Sequence, residues 1–209
     1  APFIDAVFAP HPGTPTVPYS IADRSEAGAS PLAQVLLSLL GLAESRFPVE
    51  WVLGLLDSPA IRARFEIAEE DLPRIQHWVA ATHTRWGRDA QHKAEFGLPQ
   101  TAQNSWREGL SRMLLGIALP QAAQTAGLPL YQGLLPFDDI EGAQAQIAAR
   151  FSSFVETLFQ QADALRQPRP LAEWAGAIGV MCDALLSASD EGDIALLQRL
   201  RERLQACAS

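Results

Sequence analysis

Residues 101–119 read TAQNSWREGLSRMLLGIAL. Trp106, Leu110, Met113, Leu114 and Ile117 recur there at steps of three or four, which places them on one side of a helix. Leu115 and Leu119 widen the apolar stripe, while Arg107, Glu108, Ser111 and Arg112 occupy much of the opposite side. A helix this apolar, with a Trp near its start, is expected to be a central element that other helices cover.

The same periodicity extends in both directions. Ser30-Pro31 starts a helix by a cap-plus-proline device, with a stripe of Leu32, Val35, Leu36, Leu39 and Leu40 and a stop at Gly41. Val49–Leu56 is a second short helix, and Ser58-Pro59 opens a third that ends near Phe65. Ala68–Thr82 is a fourth, with Glu69, Glu70 and Asp71 in its first turn, where the helix dipole favours acids. Arg85-Trp86-Gly87 breaks the pattern, and Arg88–Glu95 is a short helix. After residue 119 a Gln/Ala/Gly-rich exposed connection is expected to reach Gly133. Asp138 to about Leu165 then reads as one long helix capped by Asp138 or Asp139. Leu171–Ser187 and Asp193–Ala206 are two further helices. Only Val17–Ala22 (VPYSIA) has strand character, and one strand makes no sheet. The fold class is therefore all-α: a multi-helix, bundle-like body at 25–209 with one short extended segment near the N-terminus.

Composition excludes much. The 209 residues are 48% hydrophobic, and 16 basic against 24 acidic residues leave a net charge of -8. A free-standing nucleic-acid binder shows a basic excess or stripe, which is lacking here. Lys93 is the only lysine beside fifteen arginines. It lies in His92-Lys93-Ala94, so there is no phosphate-cradling P-loop, and its polar segment gives no reason for a lowered pKa. Cys182 and Cys207 read as two reduced thiols. No run is apolar enough to cross a bilayer. The start at Ala1-Pro2-Phe3, with no initiator Met or signal peptide, suggests an excised fragment.

No catalytic constellation emerges. His11, His77, His83 and His92 read as surface or lightly packed imidazoles without metal-ligand spacing. Both acidic clusters sit at expected helix starts, where capping and the dipole explain them. Gly176 and Gly179 lie inside a helical pattern and suit close helix contact rather than a dinucleotide. Four tryptophans fall on apolar stripes. Trp86 instead sits in a break between Arg85 and Gly87. That suits either a single-strand stacking site or a packing corner at a helix end, the latter favoured because Trp is buried on average.

Several phrases occur together and in order. They are Val17-Pro18-Tyr19-Ser20-Ile21-Ala22-Asp23-Arg24, Ser45-Arg46-Phe47, Val52 through Ala60 and Thr84-Arg85-Trp86-Gly87. Asn104 through Gly116, Leu134-Leu135-Pro136-Phe137-Asp138 and Pro170 through Trp174 follow. This set, spanning nearly the whole chain, resembles RecC, the gamma-subunit family of bacterial exodeoxyribonuclease V (RecBCD). The resemblance implies a helicase-like region without ATPase motifs. Residues 1–24 would be a linker and strand of the flanking helicase-like domain, and 25–209 the helical insertion called 2B. It implies RecB and RecD as partners, DNA as the ligand of the full complex, a cytoplasmic setting and a role in DNA end processing and repair. The parent complex would be an ATP-dependent helicase–nuclease, but no catalytic residue, metal or cofactor carries over to this piece.

Within that frame the domain shapes strand channels and subunit contacts, with Arg85, Trp86, Arg88, Arg107 and Arg112 as contact candidates. A stretch around Gln121–Gly127 departs from the pattern. The rival expectation is an autonomous helical protein–protein interaction module with an apolar groove. Either way the free fragment is expected to bind single-stranded DNA weakly or not at all, because an acidic surface disfavours phosphate within a Debye length of about 8 Å.

Overall fold

The computed structural model describes residues 31–119, 130–188 and 190–208. The extended segment expected at 17–22, the division between 1–24 and 25–209, the cap at Ser30, most of the connection after Leu119 and the Cys207 thiol all lie outside the described residues.

Among the described residues there are nine α-helices and no strand. They are α1 (Pro31–Leu40), α2 (Val49–Leu55), α3 (Pro59–Phe65), α4 (Leu72–Ala81), α5 (Ala90–Ala94), α6 (Trp106–Ala118), α7 (Gln144–Arg166), α8 (Leu171–Leu185) and α9 (Glu191–Ala208). Short 3-10 turns at Gly41–Glu44 and Glu69–Asp71 precede α2 and α4. The all-α class stands, with one isolated bridge between Tyr131 and Leu134 as the described β feature.

The body is assembled around α7, not α6. Ala148, Phe151, Phe154, Val155, Leu158, Phe159, Ala162 and Leu165 of α7 are all buried. The helix packs against α3, α6, α8 and the 3-10 turn at Gly41–Glu44. Its three aromatic rings are each fully buried, and each such burial stabilises by about 1.5–3 kcal/mol. The α6 stripe narrows to Trp106, Gly109, Leu110 and Met113, with Ile117 partly covered. Leu114, expected in the core, is 44% exposed, because a step of four from Leu110 carries it about 40° further round the helix.

Helix ends account for the other departures. α6 begins at Trp106 because the Ser105 hydroxyl accepts the Glu108 N–H at 3.3 Å, while the Glu108 carboxylate accepts the Asn104 N–H at 2.5 Å. This Ser-x-x-Glu device is a capping box shifted by one residue on its return arm, and it leaves residues 101–105 outside the helix. Asp138 and Asp139 do not cap α7. Gly142, at φ +54°, turns the chain, and α7 starts at Gln144 without a side-chain cap. Pro73 moves the start of α4 to Leu72, so Glu69–Asp71 form a 3-10 turn. There Glu69 pairs with Arg62 at 2.9 Å and Asp71 with Arg74 at 3.4 Å.

Gly176 and Gly179 do not mediate close helix contact, since a Cβ at either meets nothing within 4 Å. The close approaches fall on α6. A Cβ on Gly109 would overlap the Thr84 hydroxyl, and one on Gly116 would overlap the Phe137 carbonyl. The 135–137 segment is clasped to α6 by Phe137 N–H donating to the Arg112 carbonyl and Arg112 Nε donating to the Leu135 carbonyl, each at 2.9 Å. Gly116→Ala is therefore expected to destabilise by about 1–3 kcal/mol through overpacking. Gly176→Ala, in open space, should be neutral or stabilising by up to about 1 kcal/mol. Thermal unfolding of the two variants side by side checks the contrast.

Candidate functional site

Three non-helical segments are laced together by backbone hydrogen bonds. Val49 N–H donates to the Arg85 carbonyl at 2.9 Å, and Gly87 N–H to the Arg46 carbonyl at 2.8 Å. Arg85 N–H donates to the Asn104 carbonyl at 2.9 Å, and Trp106 N–H to the Gly87 carbonyl at 3.0 Å. The connection before α2, the break after α4 and the entry to α6 thus form one braided corner. Phe47 and Asn104 within it have φ values of +53° and +62°, a left-handed backbone that non-glycine residues hold only when the surroundings over-determine it. Trp106 closes the inner side, its indole N–H donating to the Phe47 carbonyl at 2.7 Å. The Phe47 ring meets Phe159 edge-on at 5.0 Å and His92 at 5.4 Å.

The five candidate residues lie in and around this corner in different states. Arg88 is held internally. Its Nη1 donates to both Asp163 oxygens at 2.7 Å and its Nε to Asp89 at 3.2 Å. Burial alone would lower the Arg88 pKa, but the bonds and charges of Asp163 and Asp89 outweigh it and raise the net value. Arg107 is shared between Asp89 and Glu156, both at 3.4 Å. Arg112 is a structural strap, donating to the Leu135 and Thr82 carbonyls at 2.9 Å. Arg85 is exposed, and its side chain has no ion pair among the described residues. Trp86 is half-buried, edge-on to Phe96 at 6.1 Å with the Lys93 ammonium 5.3 Å from its ring centre.

Sequence reasoning missed Arg46, Phe96, Lys93 and His92. Arg46 is exposed and lies over the Phe96 ring, its guanidinium carbon 4.6 Å from the centroid. No carboxylate among the described residues pairs with it. Lys93 is only 5% exposed, contrary to its polar sequence context. Its ammonium donates to the Gln103 carbonyl. Burial lowers its pKa, and the charge of Glu108 partly restores it. The signal for this burial was Gly87, at φ +79°, where a Cβ would crowd the Lys93 stem at 3.0 Å. His92 is likewise not a surface imidazole. It is fully buried. Its Nδ1 accepts the Arg88 N–H at 3.3 Å, and its Nε2 has no hydrogen-bond partner among the described residues. An accepting Nδ1 puts the neutral ring's proton on Nε2. Burial is the main cause of its lowered pKa. Glu95 and Asp89 oppose the shift, while Arg166 and Arg88 reinforce it.

Elsewhere the described surface offers shallow depressions. One of about 390 Å³ is lined by Arg64, Arg150, Thr157 and Gln160, but Arg150 is tied to Glu66 at 2.7 Å and Arg64 to the Asp183 carbonyl at 3.2 Å. Another of about 470 Å³ is apolar, lined by Val35, Trp51, Leu55 and Pro59. Among the described residues no three His, Cys, Asp or Glu side chains converge to hold a metal ion. Cys182 is buried, which pushes its thiol up to about 11, away from the reactive thiolate.

A family model described as "RecBCD enzyme subunit RecC fourth domain" matches residues 29–209. The "RecBCD enzyme subunit RecC" of Escherichia coli K12 is 38% identical over 196 residues, covering 94% of this chain and 17% of that protein. The protein of the same description from Mycobacterium tuberculosis H37Rv is 34% identical over 179 residues, 86% of this chain and 16% of its own length. That of Haemophilus influenzae Rd is 32% identical over 195 residues, 92% and 16% respectively. The chain spans less than a fifth of the length of these relatives.

The buried imidazole generates a pH dependence. Above about pH 6.5, the ordinary imidazole value, His92 is neutral in both folded and unfolded states and adds no slope. As pH falls below that value, the unfolded chain takes up a proton that the folded state resists, so stability declines. Urea unfolding between pH 7.5 and 5.5 should show this loss. His92→Phe, which keeps a ring among Phe47 and Phe96, should flatten the slope even if it lowers stability at pH 7.5.

Proposed function

The chain belongs to the RecC family, and from that premise we propose that it is a non-catalytic helical domain of a RecC subunit. Its work is mechanical: it shapes the passages through which unwound strands move and offers faces to the RecB and RecD subunits of a helicase–nuclease. It acts in the cytoplasm, in DNA end processing and break repair, and needs no cofactor of its own.

The match of residues 29–209 to the RecC fourth domain carries this reading. The side chains support it. Arg88, Arg112, Arg150 and Arg166 are spent on joining helices to loops. Leu171, Val180 and Ile194 are 79%, 61% and 55% exposed on α8 and α9, apolar side chains that contact with other protein would cover. An autonomous interaction module would offer the same apolar side chains, but it would fold and bind without the rest of a RecC subunit.

Three measurements test the reading. The isolated chain, given ATP, magnesium and DNA, should hydrolyse neither substrate, and anisotropy at physiological salt should show no tight oligonucleotide complex. A RecC subunit lacking residues 29–209 should fail to form an unwinding-competent complex with RecB and RecD. Turnover by the chain alone, or full unwinding by the deleted complex, would remove the proposal.

A further inference from the structure

Ten of the described arginines are tied to other parts of the fold. Arg62, Arg74, Arg88, Arg107, Arg150, Arg166 and Arg201 have carboxylate partners. Arg64, Arg112 and Arg169 donate to backbone carbonyls. In an acidic chain this is the expected fate of a guanidinium: it is neutralised in place. Arg46, Arg85 and Arg203 escape it, and of these Arg46 and Arg85 lie together, in the braided corner. Both are exposed, and neither side chain has an ion pair or carbonyl partner among the described residues.

These two arginines are neighbours in space although 39 positions separate Arg46 from Arg85 in sequence. The Gly87-to-Arg46 and Val49-to-Arg85 hydrogen bonds, at 2.8 and 2.9 Å, run their backbones side by side. The same corner holds two half-buried aromatic rings, Trp86 and Phe96, packed edge to face. The Arg46 guanidinium already rests over Phe96 at 4.6 Å, and the buried Lys93 ammonium supports Trp86 from its own side at 5.3 Å. The corner is pre-organised by the backbone braid, so holding these groups costs no further ordering of the loops.

We infer that this corner is a contact site for single-stranded nucleic acid, with Arg46 and Arg85 on the phosphates and the solvent-facing part of Trp86 against an unstacked base. The inference rests on the RecC-domain reading above and gives it a place on the surface. Unpaired guanidinium groups suit phosphate oxygens. Bases freed from a duplex stack on aromatic faces in a sequence-tolerant way, and half-buried Trp86, with Lys93 on its inner side, is the ring here that no guanidinium covers, whereas Arg46 lies over Phe96. A duplex would satisfy the arginines and leave that ring unused. The exposed carboxylates of Glu44 and Glu50 lie close by along the chain. They keep the site weak, so it guides a strand held elsewhere rather than capturing one.

The test uses the full RecC subunit assembled with RecB and RecD, loaded with DNA whose single-stranded tail carries 5-iodouracil. Irradiation should yield a cross-linked peptide containing Trp86 or Phe96, identified by mass spectrometry. Arg46→Ala with Arg85→Ala, two exposed changes, should cut its yield at least tenfold. Arg203→Ala, an exposed arginine on α9, should leave it unchanged. Absence of cross-links at the corner, or a yield indifferent to Arg46 and Arg85, would overturn the inference. So would loss of subunit association in the double variant, which would mark the corner as a protein contact. If cross-links are absent while deletion of 29–209 still abolishes unwinding, only the site falls and the domain reading stands.

Discussion

The hydrogen bond from the Trp106 indole to the Phe47 carbonyl links everything else in this fold. That carbonyl is buried, and leaving it unsatisfied would cost about 1–3 kcal/mol. The indole that satisfies it also sits at the first position of α6, and the Trp106 ring packs 6.2 Å from Phe151 of α7. One side chain therefore sets the entry of α6, the bend before α2 and the register of α6 on α7. The left-handed backbone at Phe47 is held by the same contact, with Ser45 Oγ accepting the Phe47 N–H at 3.0 Å.

Around this link the arginines act as struts. Arg150 reaches from α7 to the carbonyl and carboxylate of Glu66 just past α3, and Arg166 from the end of α7 to Ala43 and Glu95. Arg88 ties the braid to Asp163 of α7. Such partly exposed pairs each add little stability. Their forked geometry instead fixes where loops lie on helices, which a lysine's point charge does less well. The skew of fifteen arginines to one lysine is thus a structural choice. It also explains why three of the five contact candidates, Arg88, Arg107 and Arg112, turn out to be engaged within the fold.

Helix content was legible in the sequence because apolar spacing at three and four is a strong local signal. Leu32, Leu36 and Leu39 of the α1 stripe are buried as spacing places them, although Leu40 is exposed, and the Pro at the start of α1 and α3 marks real helix starts. Ends were harder to read. The Ser105–Glu108 box and Pro73 are both visible in the sequence and mark the starts of α6 and α4. The hub role of α7 was not legible from periodicity, since a stripe says that a face is buried but not how many neighbours bury it. The corner was only half legible. Arg85 and Trp86 stand out as a break, whereas Arg46 and Phe96 join them only through hydrogen bonds between segments distant in sequence.

The burial of Lys93 has a practical corollary for anyone mapping this domain inside a larger assembly. Amine-directed acylation and lysine cross-linking rely on accessible ε-amino groups. The single one here is folded beneath Trp86 against the Gln103 carbonyl. To such reagents the side chains of the folded body would be nearly silent, so an empty cross-link map would say nothing about isolation from neighbours. Carboxylate-coupling or arginine-selective reagents, for which the surface is rich in targets, would see what amine chemistry passes over.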